Sequence, residues 1–435
     1  MSGGTYIAGG LSVFSPPGSS LSLSDSSLVA HYPISTLDVS NPIEFYINSS
    51  ISDPFIDLNA SYMYLKFHVT VNDKGMERGL VDDDNVGMCN NILQSIFGSV
   101  DFYLGETLLD SGTNNNNPYR GYFHNLLNFS QNDKLYTLPE EGFYKDTSRH
   151  FDTVAGDNKG GKSRKELLLN NNKVVLTGKP SIALFQSTRY LLPGVSARIR
   201  LTLSPTKFLF HCAEGISPLL HLDECKLYLR KITPSNNVRI AIEQQLALTK
   251  ALYPVTESTI KSYNLILGSN NYSFDNILAG RLPRLLIMAL VRTDAYIGKK
   301  NLNPFNFRPF NLSRINLAIN GKIVAPSPMT NDEGTYARAY RLFLESCDVL
   351  QKSHSDIGIS RKEFIHGNFI LFFNLSHDLE PLNISNPVFE NPSSGTARLD
   401  LTFSEKTSQN LTLICYQSFD KVYSIDYDRN VQNEF

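Results

Sequence analysis

The feature that most constrains the fold is a strand programme written twice. Residues 99–109, SVDFYLGETLL, and residues 314–324, RINLAINGKIV, carry apolar side chains on alternate positions: Val100/Phe102/Leu104 in one copy and Ile315/Leu317/Ile319 in the other. A period of two is that of a strand with one buried face. Each copy continues into a two-residue turn signal, Gly105-Glu106 or Asn320-Gly321, and a second short apolar run, so each reads as a β-hairpin. Leu104 and Ile319 stand 215 residues apart in a chain of 435.

Two further pairs repeat in the same order. Residues 197–204, ARIRLTLS, match residues 397–404, ARLDLTFS, at five of eight positions. Behind each hairpin lies a Tyr-rich stretch that reads as a short helix or strap, PYRGYFHNLL from Pro118 and TYARAYRLFL from Thr335. Three pairs in one order predict two copies of a single β domain in tandem. The length suits two domains of about 200 residues each. The 26 Phe and 21 Tyr, with no Trp, favour strands.

Charge and cysteine usage narrow the partners. A formal net charge of −2 cannot neutralise a polyanion over the whole surface, and the first basic residue is Lys66, so no basic N-terminal arm is present to bind nucleic acid. Five scattered cysteines, Cys89, Cys212, Cys225, Cys347 and Cys415, point to a reducing compartment. The first 20 residues lack the charged start and continuous apolar core of a secretory signal. No apolar run approaches the ~18–20 residues of a membrane span. The longest, 285–291, reads as a buried strand.

Several motifs invite chemistry and are outweighed by simpler readings. Gly156 to Ser163, GDNKGGKS, spells the P-loop pattern with Lys162 as its lysine. That chemistry needs a buried parallel strand before the loop and a helix after it. The residues before it are polar, and only six separate Ser163 from an Asn tract and a new strand, which predicts a surface loop without a supporting helix. Matched strands lie 93 residues apart in the first copy (Leu104 to Ala197) and 78 in the second (Ile319 to Ala397), so this loop reads as an insertion. Asp82-Asp83-Asp84 lack the spacing of a calcium loop and read as a solvated turn. His68 falls on the polar face of the strand 62–71. His211, Cys212, His221, Asp223 and Cys225 lack the H-x-H or C-x-x-C spacing of a metal site. No catalytic residue, cofactor or metal ligand is therefore assigned.

The expected organisation is a flexible N-terminal arm over 1–27, a first domain over 28–232, a linker at 233–237 and a second domain over 238–435. Within the arm, residues 7–11, IAGGL, resemble the cleavage consensus of adenovirus-type maturation proteases.

Longer stretches carry a resemblance. VDDDNVGMCNNILQSIFGSVDFYL, NPYRGYFHNLLNF, LPRLLIMALVRTDAYIGKKNLNPFNFRPFNLSRINLAINGKIV and the terminal IDYDRNV resemble the major capsid protein, or hexon, of Polinton/Maverick elements and adintoviruses, over nearly the whole chain from Leu28 to Val431. The resemblance implies an all-β double jelly roll with short helices in its loops. It implies three subunits forming a pseudo-hexagonal capsomer, and capsomers tiling an icosahedral shell with no catalysis. The implied partners are two further copies, neighbouring capsomers, and penton and minor capsid proteins, without sequence-specific nucleic-acid binding. The implied location is the virion, assembled inside the host cell rather than secreted. The rival readings are a jelly-roll carbohydrate-binding module and a nucleotide-binding protein acting through Gly156–Ser163.

Overall fold

The computed structural model describes residues 22–73, 75–111, 116–169, 172–324, 335–347, 349, 356–376 and 393–434. Residues 7–11, with the protease-like sequence, lie outside them. The first half contributes β1 (Leu23–His31), β2 (Ile43–Ile47), β3 (Phe55–Asp73), β4 (Met76–Gly79), β5 (Gly87–Met88), β6 (Phe97–Leu104), β7 (Thr107–Asp110), β8 (Val174–Gly178), β9 (Ala197–Leu203), β10 (Phe210–His211) and β11 (Pro218–Pro234). The second contributes β12 (Ala251–Leu265), β13 (Asn271–Arg281), β14 (Leu285–Arg292), β15 (Leu312–Ile319), β16 (Lys322–Ile323), β17 (Ile370–Asn374), β18 (Ser394–Phe403), β19 (Leu411–Ile425) and β20 (Val431–Asn433). The helices are α1 (Ile92–Ile96), α2 (Asn117–Asn128), α3 (Gln131–Tyr136), α4 (Lys159–Glu166), α5 (Thr206–Leu209), α6 (Asn236–Leu246), α7 (Thr293–Tyr296), α8 (Ala337–Ser346) and α9 (Arg361–Ile365).

Each half is an antiparallel sandwich, and the two have one strand order. Sheets β1-β11-β3-β8 and β12-β19-β14-β17 correspond, as do β2-β9-β6-β7 and β13-β18-β15-β16. The registers correspond too: Leu104 opposes Ala197 in the first half, and Ile319 opposes Ala397 in the second. This is the two-Greek-key jelly roll, built twice. The twin hairpins are β6–β7 and β15–β16. Asn320 and Gly321 both take positive φ (48° and 80°), the backbone of the turn whose twist matches its strands, while in the first copy Gly105 takes φ 56°. The Tyr-rich stretches, expected as short helices or straps, fold as the helices α2 and α8.

Alternation decides which faces are buried. On β3, Met63, Leu65, Phe67, Val69 and Val71 enter the core while Tyr64, Lys66 and His68 lie on the half-buried outer face. Strand β14 is buried from Leu285 to Val291, with β19 and β17 on its edges and protein over both faces. That is why it reads as an unbroken apolar run.

Three expectations are corrected. Residues 23–27, assigned to the arm, belong to β1 and pair with the end of β11, Leu23 opposite Pro234 and Ser27 opposite Lys231. A Ser-rich composition does not prevent backbone pairing with a long neighbour. The stretch 233–237 is largely structured, since β11 runs to Pro234 and α6 starts at Asn236. Finally, the segment after Gly156 is no bare loop. Helix α4 forms inside it, because tertiary packing supplies what eight residues lack alone.

Candidate functional site

The two sandwiches meet along a seam, and the residues with the most unusual environments lie there. Helix α2 presents Tyr119, Tyr122 and Phe123 to α7, the loop 297–311 and β19 of the second half. Tyr122 stacks on Phe305 with centroids 4.1 Å apart and planes 3° from parallel; Phe123 stacks on Phe307 at 5.2 Å; Tyr119 stacks on Tyr296 at 5.4 Å. Phe123 also meets Tyr416 edge-on. Such ring pairs add about 0.5–1.5 kcal/mol each beyond the burial of their area. The sequence signal for Phe305 and Phe307 was their i, i+2 spacing inside a segment whose Asn and Pro content reads as a polar loop.

Polar groups lock the same seam. Asn303 Nδ2 donates to Phe151 O at 3.0 Å, and Asp152 accepts from Asn303 N and Asn306 Nδ2 at 2.8 Å each. Tyr423 Oη donates to Leu109 O at 2.8 Å, and Lys145 pairs with Glu363 at 2.6 Å. Gly367 lies so close to Phe151 that a Cβ would fall 2.1 Å from the ring. Lys134, buried at 3% exposure, donates to Leu126 O of the first half at 2.6 Å and to Ile357 O of the second at 2.7 Å. Burial holds its ammonium down to about 7. These contacts make one body of the two sandwiches.

The P-loop lookalike serves this packing. Its helix α4 is not fed by a strand, since residues 142–158 run through turns and irregular chain. Lys162 is 62% exposed and lies 3.8 Å from Glu166, one turn along. Gly160 and Gly161 sit against backbone carbonyls, with a Cβ on Gly160 falling 2.5 Å from Lys145 O and one on Gly161 2.6 Å from Val154 O. The glycines admit the helix rather than a phosphate. Arg164 points inward, donating to Met88 O and Tyr144 O at 2.9 Å each and to Asp146 Oδ1 at 2.6 Å. Sequence reasoning missed Arg164 and Asp146, and nothing in their spacing marks them as partners.

The remaining candidates are accounted for by local bonds. Asp84 accepts from both Arg78 Nη atoms at 2.7 Å, which holds its carboxyl below the usual range, and Asp82 pairs with Lys165 at 3.0 Å. His68 Nδ1 lies 3.1 Å from Asp223, and its ring stacks on His221 at 4.8 Å across β3 and β11. Cys225 faces the core opposite Leu65, and burial pushes its thiol up to about 12. His211 and Cys212 are buried next to each other. Among the described residues no three His, Cys, Asp or Glu side chains gather as a metal would need.

A cleft of about 1390 Å³ opens along the seam between Tyr62, Arg120, His124, Glu141, Lys179 and Tyr416. Arg120 pairs with Asp110 at 2.5 Å, and burial raises the Glu141 carboxyl. Burial pushes His124 down to about 4, and its two ring nitrogens face the amides of Asn128 and Gln186 rather than a hydroxyl or thiol that they could activate. Among the described residues, no helix is long and apolar enough to cross a membrane.

No protein-family model matches the chain. An uncharacterized protein of Caenorhabditis elegans is 23% identical over 404 residues, which cover 89% of this chain and 92% of that protein. Among solved structures, a chain of the Sputnik virophage cryo-EM structure superposes with a TM-score of 0.65 at 10% identity, covering 100% of this chain and 93% of its own. The Faustovirus major capsid protein gives 0.56 at 10% identity over 96% and 92%, and the mavirus major capsid protein 0.54 at 8% identity over 100% and 96%. At such identities the likeness is one of fold, and it extends across both sandwiches.

Proposed function

We propose that this chain is a major capsid protein of the Polinton/Maverick and adintovirus type, a non-catalytic shell subunit. Three copies form a pseudo-hexagonal capsomer, and capsomers tile an icosahedral shell together with penton and minor capsid proteins. The observation that carries the reading is the pair of jelly rolls with one strand order, one register and a buried seam. Two equivalent sandwiches held rigidly side by side give each subunit two similar outer contours. Three subunits then approximate sixfold packing, and a closed symmetric ring presents equivalent edges to its neighbours. Coverage of 92% and 96% of the Faustovirus and mavirus major capsid proteins supports the same reading. The location that follows is the virion, with assembly inside the host cell.

Electron microscopy and sedimentation of the purified full chain test the proposal. The expected particles are trimers with a hexagonal outline; monomers under all conditions of salt and pH would rule the reading out. Domain limits near Leu23–Pro234 and Asn236–Asn433 go with it. Separate expression of the second half should give insoluble protein, because its half of the seam would be exposed.

A further inference from the structure

A second depression adjoins the cleft at Arg189, where β1 begins, β11 ends, and α6 leads into β12. It encloses about 470 Å³ and is walled by apolar side chains, among them Leu23, Leu192, Val238, Ile242 and Leu252. Leu23 and Leu252 remain 43% and 46% exposed, and Tyr190 at the rim 39%. Its one charged lining residue, Arg189, already donates to Leu252 O. Such a lining favours an uncharged occupant.

The chain itself delivers such a segment to the spot. Ser22 forms part of the wall, and its carbonyl accepts from Ser235 N at 2.9 Å, while Ser24 Oγ donates to Thr233 O at 3.0 Å. The 21 residues before Ser22 contain no Asp, Glu, Lys, Arg or His and carry Tyr6, Ile7, Leu11, Val13 and Phe14. Pro16-Pro17-Gly18 is a turn signal between Phe14 and the groove. The residues from Phe14 to Ser22 could span at most about 29 Å when extended, and a turn at their middle would leave Val13 and Phe14 within reach of the wall.

We propose that this groove is the seat of the chain's own Val13 and Phe14, folded back onto α6. The occupant is the same chain, because Ser22 is fixed in the wall and eight residues suffice to reach it. The assignment does not depend on the capsid reading. Burying a Phe and a Val there removes apolar surface from water on both sides of the contact.

A photo-crosslinking phenylalanine at position 14 of the full chain tests it. Unlabelled and nitrogen-15-labelled chains are assembled together so that the isotopes distinguish same-chain from between-chain links. The expected products join residue 14 to peptides containing 190–192 or 238–242 of the same chain. Links elsewhere, links only between isotopically different chains, links to another protein, or none above background overturn the proposal. As an independent readout, Phe14→Ser should raise amide exchange across 238–242 several-fold while leaving β6 and β9 unchanged. Unaltered exchange in α6 would equally overturn it.

Discussion

Arg164 Nη2 lies 2.6 Å from Asp146 Oδ1 at a place where the two side chains are 2% and 0% exposed. The pair has further donors around it, Asn158 Nδ2 at 2.9 Å from the same oxygen and Asn90 Nδ2 and Asn303 Nδ2 each at 3.4 Å from the other. Removing one partner strands a buried charge, so Arg164→Ala and Asp146→Ala should each cost about 3–5 kcal/mol. Lys162→Ala, two residues away on the exposed side, should stay within about 0.5 kcal/mol. Urea unfolding of the three variants checks the ranking, and a P-loop role would instead make Lys162 the sensitive position through lost nucleotide binding.

The glycines of the same segment should separate by mechanism. Gly160→Ala drives a methyl against two carbonyls, 2.5 and 2.7 Å away, and should destabilise by about 1–3 kcal/mol. Gly156→Ala has open space around it but keeps φ at 69°, a left-handed strain of about 1–2 kcal/mol. Thermal unfolding of both variants, with nucleotide present and absent, should show no nucleotide dependence in either.

Across the seam, Phe305→Ala removes a ring that stacks on Tyr122 and meets Tyr119 and Phe208 edge-on. The expected loss is about 3–5 kcal/mol, with Phe305→Leu retaining part of it. Because the ring joins the halves, limited proteolysis should cut the Ala variant first near 235–250, between the sandwiches. Cleavage spread evenly over the chain would contradict a seam role.

Lys134 should make stability depend on pH. Its folded value of about 7 lies below the ordinary 10.5, so the unfolded chain holds a proton that the folded chain has released between those limits. Stability therefore rises with pH over that window and levels off below about 7, where both states are protonated. The full effect is on the order of 3–5 kcal/mol. Lys134→Met should lose this rise while keeping the side-chain volume. Equal pH slopes for the two proteins across 7 to 10 would show that the buried amine is not the source.

How far the fold was legible varies with the kind of signal. Alternation on β3, β6 and β15 exposed the sandwich faces because a strand's period depends only on which side chains meet water. The matched registers at Ala197 and Ala397 were foreshadowed by the repeated ARIRLTLS and ARLDLTFS. Asp146, Arg164 and Lys134 were not legible, since each owes its environment to a segment distant in sequence. Lys134 is bonded to Ile357, 223 residues on. The helix at α4 was missed for the related reason that short-helix stability is a tertiary quantity.

By itself the sequence determined that this protein is all β, that its strand programme is duplicated, and that the P-loop letters lack the strand their chemistry requires. Those properties follow from local periodicity and from the residue types beside each motif. It took the folded chain to show that β1 begins at Leu23, that the Asn- and Pro-rich loop 301–310 supplies Phe305 and Phe307 to the seam, and that Arg164 rather than Lys162 is the buried, bonded cation of its helix. These are matters of what each side chain faces across the fold, and burial among distant partners leaves no mark in nearest-neighbour pattern.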